Sequence, residues 1–193
     1  MSLISFLRYA WMTQHFINYL TGIQLNLTSM NIDRAKVNIR KVEINDIGKM
    51  TEYRLAYLEE LQGERSDDYK NTLRQELYSF FKMTMGNGSF FALLAEYEGE
   101  ILAFGGMVIK RIPGDFNQSS YIEGDILNMY TVPSARRKGI SSLVLTQLLT
   151  EAGNLGISKV ALHTSKDGEQ LYRKFGFNDP SYPYLELVFK TQE

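Results

Sequence analysis

The stretch Asn128–Leu149 constrains this chain more than any other, because its hydrophobic period changes within a few residues. An apolar, β-prone run ends at Val132 and Pro133. Three basic residues and a glycine follow after a gap of two residues: Arg136, Arg137, Lys138 and Gly139. From Ile140 onward, apolar residues recur about every 3.6 positions, which is typical of an amphipathic helix. The stretch therefore predicts a strand, a basic turn and the start of a helix.

The basic turn has the chemistry of an anion-binding site. The first backbone N–H groups of a helix lack partners within the helix, and the helix dipole adds partial positive charge there. A phosphate suits such a place, and Gly139 lets the backbone approach a ligand because it has no Cβ. The simpler interpretation is a solvated basic turn. A dinucleotide is the second candidate ligand, but no G-x-G-x-x-G sequence opens a first βαβ unit.

Two motifs in this part of the chain resemble those of one enzyme superfamily. Arg136, Gly139 and Ser141 follow the pattern R/Q-x-x-G-x-G/A, the pyrophosphate-binding motif of the GNAT superfamily of acyl-CoA-dependent N-acyltransferases, except that a serine replaces the usual glycine or alanine. The Ser141 hydroxyl either points away from the phosphates or joins their contacts. The segment 171–177, L-Y-R-K-F-G-F, is similar to the family's second signature, L-Y-x-x-x-G-F. The resemblance is strong over residues 122–177.

The resemblance implies acetyl-CoA as cosubstrate, bound along the strand end and the turn. Family members hold the CoA pyrophosphate with backbone amides of the turn and the early helix. The matching positions here are Arg136, Arg137, Lys138, Gly139, Ile140, Ser141 and Ser142. The pantetheine arm pairs in the family with the preceding strand end, where this chain has Met129, Tyr130, Thr131 and Val132. Three residues after the next strand either contact CoA or form a simple turn: Thr164, Ser165 and Gly168.

Acyl transfer from a thioester to an amine involves two proton transfers. The acceptor ammonium, with a pKa of roughly 10, must lose a proton, and the thiolate leaves more readily when it is protonated. Asp125 matches the position of a catalytic carboxylate in some family members, and Glu123 points to the same face of the strand. The base is Asp125, Glu123 or a water chain, unless both are ordinary exposed carboxylates. Tyr172 matches the tyrosine that approaches the CoA sulfur in many members, and its alternative role is packing.

Composition narrows the class of protein. The chain has 193 residues and a net charge of -1, which suits one domain with a sizeable core and argues against a general nucleic-acid binder. It has no cysteine and two histidines, so we expect no metal site. Polar residues within the uncharged run 9–32 argue against a membrane-spanning helix. We therefore expect no membrane partner and a cytoplasmic location.

The chain divides into an N-terminal appendage, residues 1–29, and a GNAT-like acetyltransferase domain, residues 30–193. The appendage has roughly helical spacing of apolar residues and predicts an amphipathic helix, packed on the domain or on a second copy, which leaves a homodimer open. The domain's predicted element order is β-α-α-β-β-β-α-β-α-β, ending in a strand at residues 184–190. The resemblance implies an α/β fold of the α+β type, with a mixed, mostly antiparallel sheet and helices on both faces.

These observations favour an N-acetyltransferase that moves an acetyl group from acetyl-CoA to a primary amine. Because no cysteine is available to carry an acyl group, the amine would attack directly in a ternary complex. The alternative is a non-catalytic acyl-CoA-binding or regulatory domain of the same fold. A protein-interaction module is suggested only by the apolar N-terminal segment. No motif identifies the acceptor, which is expected to be a small-molecule or peptide amine.

Overall fold

The computed structural model describes residues 31–189. These residues fall into two compact units with a boundary between Leu162 and His163, and each unit is described by itself. The helix predicted within residues 1–29 lies outside the described residues.

A five-stranded sheet forms the centre of the first unit. Its strands lie side by side in chain order: β1 (Asn38–Lys41), β2 (Phe90–Tyr97), β3 (Glu100–Pro113), β4 (Ser120–Thr131) and β5 (Lys159–Leu162). The first four strands pair antiparallel, and β5 pairs parallel to β4. The predicted mixed, mostly antiparallel sheet is therefore confirmed.

Both faces of this sheet are covered, as the residues of β2 illustrate. Successive side chains of a strand point to opposite faces. Phe90, Ala92 and Leu94 belong to the core cluster on one side. Leu93 and Ala95, which point the other way, are also buried. A strand that is apolar on both faces needs a helical layer on each side of the sheet.

Two helices, α1 (Ile47–Gln62) and α2 (Asp67–Gly86), cover the face that carries Phe90. Ile47 and Phe81 are their most deeply buried apolar residues in the cluster on this face. The rings of Phe81 and Phe90 lie 5.3 Å apart. Full burial of side chains of this size contributes about 1.5–3 kcal/mol each, so this cluster positions α1 on the sheet.

Asp46 fixes the beginning of α1 to β1. Its carboxylate accepts hydrogen bonds from Arg40 Nη1 and Nη2 at 2.6 and 3.0 Å and from the Glu43 N–H at 2.8 Å. The hydrogen bond from Arg40 is the largest of the effects that lower the pKa of Asp46. Although Asp46 occupies the N-cap position of α1, its side chain does not bond to the helix amides. The residue therefore acts as a link between two elements.

The opposite face of the sheet is covered by α3 (Ile140–Asn154). Val144 and Leu148 are buried on the inner side of this helix. Gly105 of β3 lies beneath it, and a Cβ at that position would contact the Met129 sulfur and lie 3.1 Å from Val144. A glycine therefore lets α3 approach the strand closely, and the predicted helices on both faces are confirmed.

In the second unit, the described residues form one helix, α4 (Lys166–Lys174). The strand predicted at residues 184–190 is wrong over its described part, because residues 184–189 form no strand. The run has the β-prone residues Tyr184, Leu185, Leu187, Val188 and Phe189, and all of them are exposed. Strand propensity produces a strand only where a neighbouring strand pairs with the backbone, and within residues 31–189 none does. None of the described helices is both long and apolar enough to cross a membrane.

Candidate active site

β4 has two halves that differ in their neighbours. The first half, residues 120–126, pairs with β3 on one side, and its residues 123–126 pair with β5 on the other. The last pair with β5 is Ile126 with Leu162. The second half, residues 127–131, pairs with β3 alone among the described residues. One edge of the second half therefore carries backbone groups that can pair with a ligand.

A β-bulge bends the second half of β4. Tyr130 lies opposite Phe104 and Leu127 lies opposite Gly106, so β4 has one residue more than β3 between these pairs. Asn128 in the bulge has a φ of 64°. It is only 4% exposed, and neither its side-chain oxygen nor its side-chain nitrogen has a hydrogen-bond partner within residues 31–189. Bulges are common beside active sites because they redirect side chains and end strand pairing.

The turn between β4 and α3 uses left-handed backbone twice. The short 3-10 helix Pro133–Ala135 leads to Arg137, with a φ of 61°, and to Gly139, with a φ of 77°. A left-handed conformation costs about 1–2 kcal/mol for an ordinary residue such as arginine but little for glycine. Gly139 directly precedes α3 and offers no side chain to cap the helix. No side chain at the N-cap position therefore bonds to the first N–H groups of α3. An anion site at a helix start needs such uncapped N–H groups.

The polar side chains of the turn bond mainly to the protein itself. Arg136 Nε donates to the Thr131 carbonyl at 2.9 Å, and Lys138 Nζ donates to the Ser134 carbonyl at 2.9 Å. The Ser141 and Thr131 hydroxyls share a hydrogen bond of 2.8 Å. Of the two alternatives for Ser141, the structure therefore favours a hydroxyl engaged within the protein. These contacts hold the turn in place and engage its polar side chains within the protein.

Glu60 of α1 connects that helix to the turn. Its Oε1 and Oε2 accept hydrogen bonds from Arg136 Nη2 at 2.7 and 2.8 Å. The Tyr130 hydroxyl also donates to Glu60, at 3.2 Å. Burial first, and then the charge of Glu60, raise the pKa of Tyr130, so its hydroxyl stays protonated as a donor. The position of the turn is thereby coupled to the position of α1.

Three residues of this region were missed by the sequence analysis: Glu60, Arg34 and the side chain of Asn128. Arg34 lies before β1, and its guanidinium carbon is 3.0 Å from the point where a Cβ of residue 139 would be. The sequence pattern does not connect residue 34 or residue 60 with residue 139, because only the fold brings them together. Asn128 begins the stretch that predicted the site, but no sequence signal indicates that its amide is buried without a partner.

The two candidate carboxylates lie on the first half of β4 and each pairs with a lysine. Asp125 forms an ion pair with Lys110 of β3, and Glu123 Oε1 is 2.6 Å from Lys159 Nζ of β5. Both acidic side chains are partly exposed. The structure brings them to one stretch of strand, where each has a lysine as its ion-pair partner.

The remaining predicted residues belong to the second unit. The Ser165 hydroxyl accepts from the Gly168 N–H at 3.2 Å and caps α4, while the Thr164 hydroxyl donates to the Ser165 carbonyl at 3.0 Å. These bonds account for the turn without a ligand. Tyr172 is buried, and its ring packs edge-to-face on Phe177 with the centroids 5.7 Å apart.

Comparison with known proteins shows the family. A sequence model described as the acetyltransferase (GNAT) family matches residues 51–177. That range is about two thirds of the chain and includes β4, the basic turn and Tyr172. The chain therefore belongs to the GNAT acetyltransferase family. No curated protein matches it.

Solved structures agree with this assignment. A predicted acetyltransferase of Clostridium acetobutylicum, solved with acetyl-CoA, is 30% identical, with a TM-score of 0.70 over 79% of this chain and 96% of the other. A GCN5-related N-acetyltransferase of Ralstonia eutropha is 23% identical, with a TM-score of 0.65 over 78% and 98%. Glucosamine-6-phosphate N-acetyltransferase of Arabidopsis thaliana is 22% identical, with a TM-score of 0.57 over 79% and 99%. The last two similarities show the fold alone.

Proposed function

We propose that the protein is an N-acetyltransferase that moves an acetyl group from acetyl-CoA to a primary amine, which attacks directly in a ternary complex. One observation carries the proposal: the edge of β4 that has no partner strand among the described residues leads through the basic turn to an uncapped helix start. An extended ligand with a phosphorylated end suits this combination of an open strand edge and an uncapped helix start. The similarity to an acetyltransferase solved with acetyl-CoA supports that choice of ligand.

The residues of the edge fit an acyl-CoA. The turn from Arg136 to Ser142 would hold the pyrophosphate through its backbone, and Gly139 keeps that backbone free of a Cβ, which would lie 3.0 Å from the guanidinium carbon of Arg34. The backbone from Met129 to Val132 would pair with the pantetheine arm. The buried amide of Asn128, which lacks a partner within the described residues, is consistent with a ligand at this place.

The chain's own groups can serve the two proton transfers. Acetyl-CoA, when bound, supplies an activated acyl thioester. Asp125, alone or with Glu123 through water, would take the proton that the acceptor ammonium must lose. Backbone N–H groups at the end of β4 would polarise the acyl carbonyl. As the C–N bond forms and the C–S bond breaks, Tyr172 would give its proton to the departing sulfur.

A non-catalytic acyl-CoA-binding domain is the second candidate function. The observation that favours it is that both carboxylates already pair with lysines. Such a domain would retain the turn and the edge of β4 but would need neither Asp125 nor Tyr172 for chemistry.

The decisive experiment measures thiol release from acetyl-CoA in the presence of amines. The panel should contain polyamines, amino acids, amino sugars, aminoglycosides and peptides with free amino termini. We expect release that depends on one class of amine, and mass spectrometry should find that amine acetylated. Calorimetric binding of CoA without thiol release for any amine would favour the non-catalytic domain.

Tyr172→Phe tests the proposed acid. Only a hydroxyl is lost and the ring still packs on Phe177, so acetyl-CoA affinity should stay nearly unchanged. Turnover with the identified amine should fall roughly 10²- to 10⁴-fold, the usual range for a general acid. The alkaline limb of the pH–rate profile should move or disappear. Tyr182→Phe, at an exposed position of the same unit, is the matched control, and a wild-type profile for Tyr172→Phe would leave water as the proton donor.

A further inference from the structure

The side chain of Asn128 is a buried polar group whose lack of hydrogen-bond partners the rest of the described chain does not explain. It is almost fully buried, and both ends of its amide lack hydrogen-bond partners within residues 31–189. Removing such a group from water without new bonds costs about 1–3 kcal/mol. Buried polar side chains in folded proteins nearly always have partners, so this exception needs a physical explanation.

The backbone explains the residue type only in part. A φ of 64° favours asparagine or glycine over other residues. Glycine would satisfy the bulge without placing a primary amide in a buried site. The conformation of the bulge therefore does not require the amide.

The position of Asn128 indicates which ligand would use it. Asn128 lies two residues beyond Ile126, the last residue of β4 that pairs with β5. It is followed by Met129, whose sulfur lies against Gly105, and by Tyr130 on the face under α1. Asn128 thus lies in the half of β4 that has no second partner strand among residues 31–189, close to the turn that follows.

We propose that the Asn128 side chain hydrogen-bonds to the two amide groups of the pantetheine arm of the acyl-CoA, an inference that rests on the proposed function. A primary amide has N–H donors and a carbonyl acceptor. The pantetheine arm contains two secondary amides, so the N–H of one can donate to the Asn128 oxygen while the carbonyl of the other accepts from the Asn128 nitrogen. The thioester carbonyl accepts hydrogen bonds but donates none, so it would leave the Asn128 oxygen without a partner.

Two consequences follow for the reaction. The cost of the unsatisfied amide belongs to the ligand-free protein, and the bound arm removes it, so Asn128 contributes to affinity for the whole cofactor. The same contact fixes how far the arm extends along β4, and so where the thioester lies relative to Asp125. Asn128 is in this sense a positioning residue for the acyl group.

Calorimetry with three ligands tests the contact in Asn128→Gly, which keeps the left-handed backbone and removes only the amide. The ligands are acetyl-CoA, CoA, and adenosine 3′,5′-bisphosphate, which lacks the pantetheine arm. Affinity for acetyl-CoA and for CoA should fall by the same factor, about tenfold. Affinity for the bisphosphate should stay unchanged. Glu98→Gly, a positive-φ position in the β2–β3 turn, controls for the general effect of a new glycine.

Each other result contradicts the proposal in its own way. Equal CoA affinity for variant and wild type would mean that Asn128 serves the bulge alone. A loss with acetyl-CoA only would move the contact to the thioester carbonyl. A loss with the bisphosphate as well would mean that the substitution distorts the turn. Failure of the wild-type protein to bind CoA at all would defeat the proposed function itself, which is a separate result.

The native protein provides a second measurement that does not depend on the folding of a variant. The side-chain amide signals of Asn128 can be assigned by NMR through the carbon resonances of the same residue. CoA should shift these signals, and the bisphosphate should leave them in place. Identical spectra with and without CoA at saturation would overturn the contact.

Discussion

The two halves of β4 belong to one strand but differ in what their hydrogen-bonding groups contact. In the first half, residues 123–126 have a strand on each side, and the acidic side chains Asp125 and Glu123 pair with lysines. In the second half, residues 127–131 have β3 on one side, a bulge, and an amide without a partner among the described residues. Full pairing gives the backbone of the first half a structural role, whereas incomplete pairing leaves the backbone of the second half able to bind a ligand.

The bulge is the physical reason for this difference. An extra residue in one strand increases the local twist and bends the strand away from the regular ladder. Beyond the last β4–β5 pair the chain continues through Asn128 to the turn at Arg137 and Gly139, and all three residues have positive φ. Strained backbone of this kind is often found at functional sites. Among the residues of β4 and its following turn, it occurs only beyond the last β4–β5 pair.

The largest expected effect is on turnover, in a variant of the first half of β4. It would show that this half also carries chemistry, and so would break the simple contrast between the two halves. Asp125→Asn should lower turnover roughly 10²- to 10⁴-fold, the usual range for a general base. The loss should be greatest at low pH, where the acceptor amine is most fully protonated and a base is most needed. The measurement is a pH–rate profile on the first confirmed amine.

Two further variants make the Asp125 result interpretable. Lys110→Met removes the lysine that pairs with Asp125 but keeps the carboxylate, so it should retain most of the activity. Glu123→Gln shows whether the second carboxylate shares the role. If only Glu123→Gln is slow, the base is Glu123. Wild-type profiles for both acidic variants would leave the first half of β4 purely structural, with catalysis by positioning and carbonyl polarisation.

Gly139→Val tests whether the turn that follows the second half of β4 binds CoA, and so sharpens the contrast between the two halves. A β-branched residue at a φ of 77° is strained by about 1–3 kcal/mol and would press on Arg34. Affinity for CoA, measured by calorimetry, should fall roughly 10- to 100-fold.

Gly156→Val is the matched control for that substitution. Gly156 has a φ of 71° and lies at the other end of α3, about 22 Å away along the helix. It should carry a similar backbone cost without changing CoA affinity. If both variants bind CoA equally, the turn at Gly139 does not hold the phosphates.

The smallest expected effect is on stability, and it concerns the contact between Asp46 and Arg40, which lies far from β4 in the sequence. Asp46→Asn should lower the free energy of unfolding by about 1 kcal/mol at pH 7, because its charged hydrogen bonds with Arg40 weaken. CoA affinity should not change. Urea unfolding at several pH values is the measurement.

The pH dependence of that variant has a definite sign. The pKa of Asp46 is lowered in the folded protein from its usual value of 3.8. Its contribution is therefore fully present above that value and is lost as the pH falls through the lower, folded-state pKa. The difference between wild type and Asp46→Asn should shrink below about pH 3.8. A difference that stays constant down to pH 2 would exclude Asp46 as the cause.

Local patterns in the sequence were enough to predict most of the elements and the turn between β4 and α3. Hydrophobic periodicity located β4 and α3, and the motif from Arg136 to Ser141 located the turn between them. These signals succeed because strand and helix periods, and the helix-start chemistry, depend on residues close together in the chain. The strand predicted at residues 184–190 failed for the complementary reason, since pairing depends on a partner that lies elsewhere in the chain.

The sequence by itself determined the family motifs, the order of the main elements and the residues that could carry the chemistry. Only the tertiary structure decided which contacts those residues make. It paired Glu60 with Arg136 and each candidate carboxylate with a lysine, and it placed the Arg34 side chain beside Gly139. It also buried the amide of Asn128, because burial and hydrogen-bond satisfaction depend on the packing of segments that are distant in the chain.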